Sequence, residues 1–186
     1  TGLAAESART KGTSTTPTDA PVIKPGIYPY NWVTCSQAHT IASRLSQTGY
    51  TSSLMFGIQW DLVLKYLETK GIAEDLLKTD STSFGNYKNN TYTLTNASAR
   101  HNQSSTGWLT TIPYEKTTDT EVLVSSGANS GFCAQNIYDF AGNLSEWTLE
   151  RSNAGKYASN ARGGDYYNQG GFSAKRESYA TYHNRT

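Results

Sequence analysis

The sequence predicts an α+β domain, with two helices packed on short antiparallel strands and much irregular loop. Three observations predict it. Apolar residues recur at helical spacing in two early stretches. Short β-prone runs follow them. Residues 136–150, NIYDFAGNLSEWTLE, fit neither period. There Ile137, Tyr138, Leu144 and Trp147 supply bulk, Asp139, Asn143 and Glu146 supply oxygen-bearing side chains, and Gly142 frees the backbone between them. Buried polar groups must be hydrogen-bonded or metal-bound, so this stretch is expected to be an ordered, internally tied loop with Trp147 buried.

A chain of 186 residues fits one domain, with at most a small appendage. Residues 1–26, rich in Ser and Thr and broken by Pro17, Pro21 and Pro25, read as an extended arm or linker, with Thr1 a trimmed or cleaved end. The domain is then 27–186. Ile27, Tyr28 and Val33 predict a short strand around Pro29. Ser36 is expected to cap a helix carrying Ala38, Ile41, Ala42 and Leu45, which Gly49 would stop. A second helix is predicted over 58–69, with Trp60, Val63, Leu64 and Leu67 as its stripe, Leu62 widening it and Gly71 closing it. From 79 to 130 the chain is polar and aperiodic; 121–124 is its best strand candidate and 91–94 a weaker one. Trp108 is expected to anchor that polar stretch to the core. Asn96, Asn102 and Asn143 stand in glycosylation-type triplets, which follow from composition, so no glycosylation is inferred.

Charged residues make up 17% of the chain, 16 basic against 15 acidic, which gives no field for nucleic acid. No apolar run approaches the roughly 20 residues that cross a bilayer. Polarity comes instead from Ser, Thr, Asn, Gly and Tyr, a composition suited to outward-facing recognition. Cys35 and Cys133 lack zinc-ligand spacing and are either two free thiols or one disulfide. His39, His101 and His183 have no recognisable nucleophile context.

The central stretch, followed by Arg162-Gly163-Gly164, resembles the signature of the formylglycine-generating-enzyme/sulfatase-modifying-factor subtype of the C-type-lectin fold. The matching residues are Tyr138, Asp139, Gly142, Asn143, Glu146, Trp147, Thr148, Arg162, Gly163 and Gly164. Leu54 and the Trp60-Asp61 pair continue the likeness. The resemblance implies a C-type-lectin-like fold, and calcium held by the side chains of Asp139 and Glu146 and the carbonyls of Gly142 and Leu144. The residues by themselves leave open that both carboxylates simply accept backbone N–H bonds. The oxidase of this family works through a cysteine pair near its C-terminal end, where this chain reads GGFSAKRESYATYHNRT without cysteine. The expectation is therefore that the chain is not an enzyme.

That tail also resembles the variable proteins of phage and bacterial diversity-generating retroelements, whose variable codons descend from AAY by substitution at adenines. Between Asp165 and His183 only Gln169, Lys175 and Glu177 fall outside the residues such codons reach. The expected function is ligand binding of receptor or adhesin type, toward a protein or glycan on a cell surface, by a protein of the virion or bacterial surface. Asp165, Tyr167, Asn168, Phe172, Ser178, Tyr179, Tyr182 and His183 are expected to share one exposed binding face. The alternatives are a metal- or cysteine-dependent enzyme or pseudo-enzyme of the same family, and a structural module of a fibre.

Overall fold

The computed structural model describes residues 21–79, 81, 83–103, 107–153 and 158–179, with Thr18 and the backbone of Ala4–Ala5. In chain order the elements are β1 (Ala4–Ala5), β2 (Tyr28–Pro29), α1 (Cys35–Ser43), α2 (Gly57–Thr69), α3 (Glu74–Lys78), β3 (Tyr92–Leu94), β4 (His101–Gln103) and β5 (Gly107–Leu109). There follow β6 (Tyr114–Lys116), β7 (Val122–Val124), β8 (Cys133–Ala134), β9 (Ile137–Tyr138), β10 (Glu146–Trp147), β11 (Ser159–Arg162) and β12 (Arg176–Tyr179). The fold is α+β, with short antiparallel sheets ordered β1-β2, β3-β6, β5-β4-β7, β8-β9 and β10-β11-β12.

The first helix starts earlier than Ser36. Thr34 and Gln37 form a reciprocal capping box, the Thr34 hydroxyl accepting from Gln37 N (3.2 Å) and the Gln37 carbonyl oxygen from Thr34 N (2.9 Å). It also stops at Ser43, well before Gly49. Thr40 and Ser43 donate their hydroxyls to the carbonyls of Ser36 and Thr40, back-bonding that weakens a short helix. The second helix matches its expected span closely. Gly71, at φ +97°, and Ile72 return N–H bonds to Glu68 and Leu67 (both 3.1 Å), a Schellman closure. Leu62 does not widen the buried stripe and is 61% exposed. At about 100° per residue it lies roughly 200° around the helix from Trp60, beside exposed Ile58 and Tyr66.

The expected arm is tied to the domain where it is described. Ala4–Ala5 pair with Tyr28–Pro29, and buried Gly26 donates its N–H to Ser126 O (2.7 Å). In the polar stretch β3 and β7 fall on the two strand candidates, 91–94 and 121–124. Trp108 on β5 meets Tyr28 edge to face at 4.9 Å, which ties that stretch to β2 rather than to the core, since both rings are half-buried.

The sheet β10-β11-β12 organises the rest. Its central strand β11 is buried throughout, and its register sets Trp147, Ala161 and Glu177 side by side, with Glu146, Arg162 and Arg176 as the next row. Adjacent residues of a strand point to opposite faces, so these rows diverge. Trp147 and Ala161 join Val33, Cys35 and Ile41 in the core under α1. Arg162 bonds to Asp61 of α2 and lies near the Trp60 ring (5.9 Å).

Candidate functional site

Backbone conformation explains the central loop. Gln135, Asn136, Asp139, Gly142 and Asn143 all adopt positive φ, a conformation that Asn, Asp and Gly tolerate better than other residues. Gly142 could be nothing else, because a Cβ there would sit 2.3 Å from Asn86 O. The reverse holds across the crossing, where a Cβ on Gly85 would sit 2.4 Å from Ala141 O. Two backbones therefore touch along a parallel bridge between Asn86 and Gly142.

Asn143, 4% exposed, ties this crossing to the sheets. Its side-chain amide donates to Val124 O and its carbonyl accepts from Val124 N (both 3.0 Å) and from Asn86 Nδ2 (2.9 Å). Its backbone N–H donates to Asn86 O (2.8 Å), and its carbonyl accepts from Tyr166 N (3.2 Å). Trp147 is 8% exposed and donates its indole N–H to Val33 O (2.9 Å). Tyr138, expected to add core bulk, is 36% exposed on the short hairpin β8-β9. Cys133 and Cys35 are both free thiols, and burial pushes the Cys35 thiol up.

The Arg162-Gly163-Gly164 segment is equally fixed. Arg162, 1% exposed, bonds to Asp61 and to Glu150 Oε2 (3.2 Å); Arg176 completes the cluster through Glu150 Oε1 (2.5 Å). Tyr87, fully buried, donates its hydroxyl to Gly163 O (2.8 Å).

Asp165 belongs to this fixed part, against the expectation of an exposed binding residue. It is 1% exposed. Its carboxylate accepts from Asn168 N (2.9 Å), Tyr167 N (3.2 Å) and Asn168 Nδ2 (2.8 Å), bracing the turn that follows. Burial pushes its carboxyl up, and the Asn168 bonds pull it back. Tyr167, Asn168, Phe172, Ser178 and Tyr179 are half-buried. They do not share one face. As neighbours on β12, Ser178 donates to Asn160 Oδ1 (2.8 Å) while Tyr179 turns edge-on to Trp147 (5.7 Å). Tyr182 and His183 lie outside the described residues.

The carboxylates of the central loop face a cleft of about 320 Å³ beneath α1. Asp139 Oδ2 accepts from Gly127 N (2.8 Å), while its Oδ1 is buried without a partner. Glu146 accepts no hydrogen bond from the described residues. So the backbone-acceptor reading holds for one oxygen of Asp139. Burial raises both carboxyls; the chain's N-terminal charge pulls both back in part, and the Asp139 charge adds to the rise at Glu146. Such a donor pair fits a cation. Of the two carbonyls expected to complete a calcium set, that of Gly142 already accepts Leu144 N (2.8 Å), leaving one lone pair. Among the described residues no third carboxylate, histidine or cysteine joins the pair.

Sequence reasoning missed Asn86, Tyr87, Glu150 and Arg176. The signal for the first two was local: Gly85-Asn86 repeats the Gly142-Asn143 pair of the central loop inside a stretch otherwise read as polar filler. No family model matches this chain, and neither a curated protein nor a solved structure matches it.

Proposed function

We propose that this chain is a C-type-lectin-like binding domain of the formylglycine-generating subtype, whose surface after Asp165 recognises a macromolecular ligand. The observation that carries this is the break at Asp165. Residues 161–165 are all buried, whereas from Tyr166 to Tyr179 only Gly171 and Ser173 are. Half-open Tyr, Asn, Phe and Ser side chains there combine contact area with adaptable hydrogen bonding, standing on backbone that the buried segment holds.

A retroelement origin of that surface draws support from a second arrangement. Lys175 and Glu177, two of the residues that AAY-derived codons cannot reach, pair with each other at 2.9 Å, and Glu177 also accepts the Tyr179 hydroxyl. Invariant residues inside a variable segment are expected to brace it in this way. Against cysteine chemistry at Cys35, burial pushes its thiol up, away from the thiolate that is the nucleophilic form.

The test is a displayed library randomised at Tyr167, Asn168, Phe172, Ser178 and Tyr179, selected against cell-surface proteins and glycans. Folded members with new and differing specificities are expected. A library that loses cooperative unfolding at most members would overturn the reading. Sequencing the neighbouring DNA for a reverse transcriptase and an imperfect copy of the tail tests the origin separately.

A further inference from the structure

Among the described residues seven large apolar side chains stand open to solvent, and six of them lie on α2 or beside it. Ile58, Leu62 and Tyr66 recur every four residues and make one stripe along the helix, turned away from buried Trp60, Leu64 and Leu67. Phe56 stands at the start of the helix. Ile23 and Tyr50 flank it, and with Leu62 they line an open groove of about 620 Å³.

These six side chains are 43–70% exposed. Roughly half of the ~200 Å² that a side chain of this size presents gives about 600 Å² in water, the upper end of the largest patch on a typical monomer. Two such patches together supply about 1,200 Å², the least that a specific protein interface buries. The charges on α2 are balanced, Asp61 and Glu68 against Lys65 and Lys70, and Lys65 already pairs with Glu68 at 2.9 Å. That gives no pull toward an anionic lipid surface.

The same charges suit a second copy of the helix. Asp61 and Lys65 lie about one turn apart on one edge of the stripe. When two copies run antiparallel about a two-fold axis at Leu62, each Asp61 meets the other copy's Lys65, and Ile58 meets Tyr66. We propose that the outer face of α2 is a two-fold interface between copies of this chain, with Leu62 on the axis and the groove at Ile23 and Tyr50 as its flank. On the opposite side of the helix Trp60 Nε1 donates to Ser173 O (2.9 Å), so pairing takes place away from the tail. A dimer of this kind displays two C-terminal surfaces, whatever they bind.

The test is sedimentation velocity of the intact chain over a range of concentrations. A reversible monomer–dimer equilibrium with a Kd of about 10 µM is expected, since an interface of this size lies at the weak end of specific ones. Leu62→Glu sets two carboxylates face to face on the axis and should raise Kd at least about thirtyfold, a hot-spot loss, with cooperative unfolding kept. Should that variant fail to fold, Leu62→Cys decides. Helix axes about 8–10 Å apart bring two Cα atoms on the axis within disulfide reach, so mild oxidation should link the copies. Neither the wild-type chain nor Thr110→Cys, just after β5, should link under the same conditions. A monomer at every concentration up to about 20 times that Kd, a dimer that Leu62→Glu leaves intact, no linked dimer from Leu62→Cys, or a monomer that floats with phosphatidylcholine vesicles would each overturn the proposal.

Discussion

The segments on either side of Asp165 are built from similar residues and used in opposite ways. Before it, Asn160, Arg162 and Asp165 spend nearly every polar atom inside the protein. After it, Tyr167, Asn168 and Phe172 keep part of their surface in water. Composition cannot tell these apart, since Asn, Asp, Tyr and Gly occur in both. What differs is whether a facing strand or loop supplies partners. Polar residues make a framework where another backbone crosses them and a surface where none does.

The sharpest way to break this contrast is at its framework side. Trp147→Ala should cost about 3–5 kcal/mol in urea unfolding, the range for a large buried aromatic. A loss under about 1 kcal/mol would place Trp147 outside the core. Asn143→Ala should come next, at about 3 kcal/mol, because it leaves Val124 N–H and C=O and the Asn86 amide buried without that partner.

Asp165 marks the boundary, and so it sharpens the comparison most. Asp165→Ala is expected to cost about 1 kcal/mol, like the loss of a helix cap, since it strips the acceptor from two turn amides. A neutral result would move the boundary upstream. Its pH signature has a definite sign. The folded carboxyl titrates above the unfolded value of about 3.9, so the folded state binds more protons between the two. That contribution is present below about pH 3.9 and is lost as pH rises through the folded pKa. Wild type should therefore lose more stability over that window than Asp165→Asn, in paired denaturation curves.

The smallest effects are expected beyond the boundary. Tyr167→Ser or Phe172→Ser should change stability by about 0.5 to 1 kcal/mol, little more than an exposed site, while altering which ligands the domain takes. Larger losses at both positions would make the tail ordinary core.

Much of the framework was legible because its signals were local. The stripe of Trp60, Leu64 and Leu67, the Gly71 stop and the oxygen-rich run around Asn143 all declare themselves within a few residues. The errors came where a distant partner decided the outcome. Asp165 resembles a surface residue until its turn folds back on it, and Ser178 and Tyr179 diverge because β11 fixes their register. Thr34 outcompetes Ser36 as the cap because Gln37, three residues on, returns its bond. The cleft was invisible for the same reason, since its walls come from α1 and from a loop a hundred residues later.

The Asn143 crossing also governs the order in which the chain can fold. It gathers Asn86, Val124, Asn143 and Tyr166, so the last of these must leave the ribosome before the junction can close. Local helices such as α1 and α2 can form early, but contacts of such long sequence separation form late and slowly. Until then the apolar side of α2 lacks its partners Phe140 and Ala141, exposed to whatever holds nascent chains. The segment that begins at Asp165 is thus also the one on which closure of the domain waits.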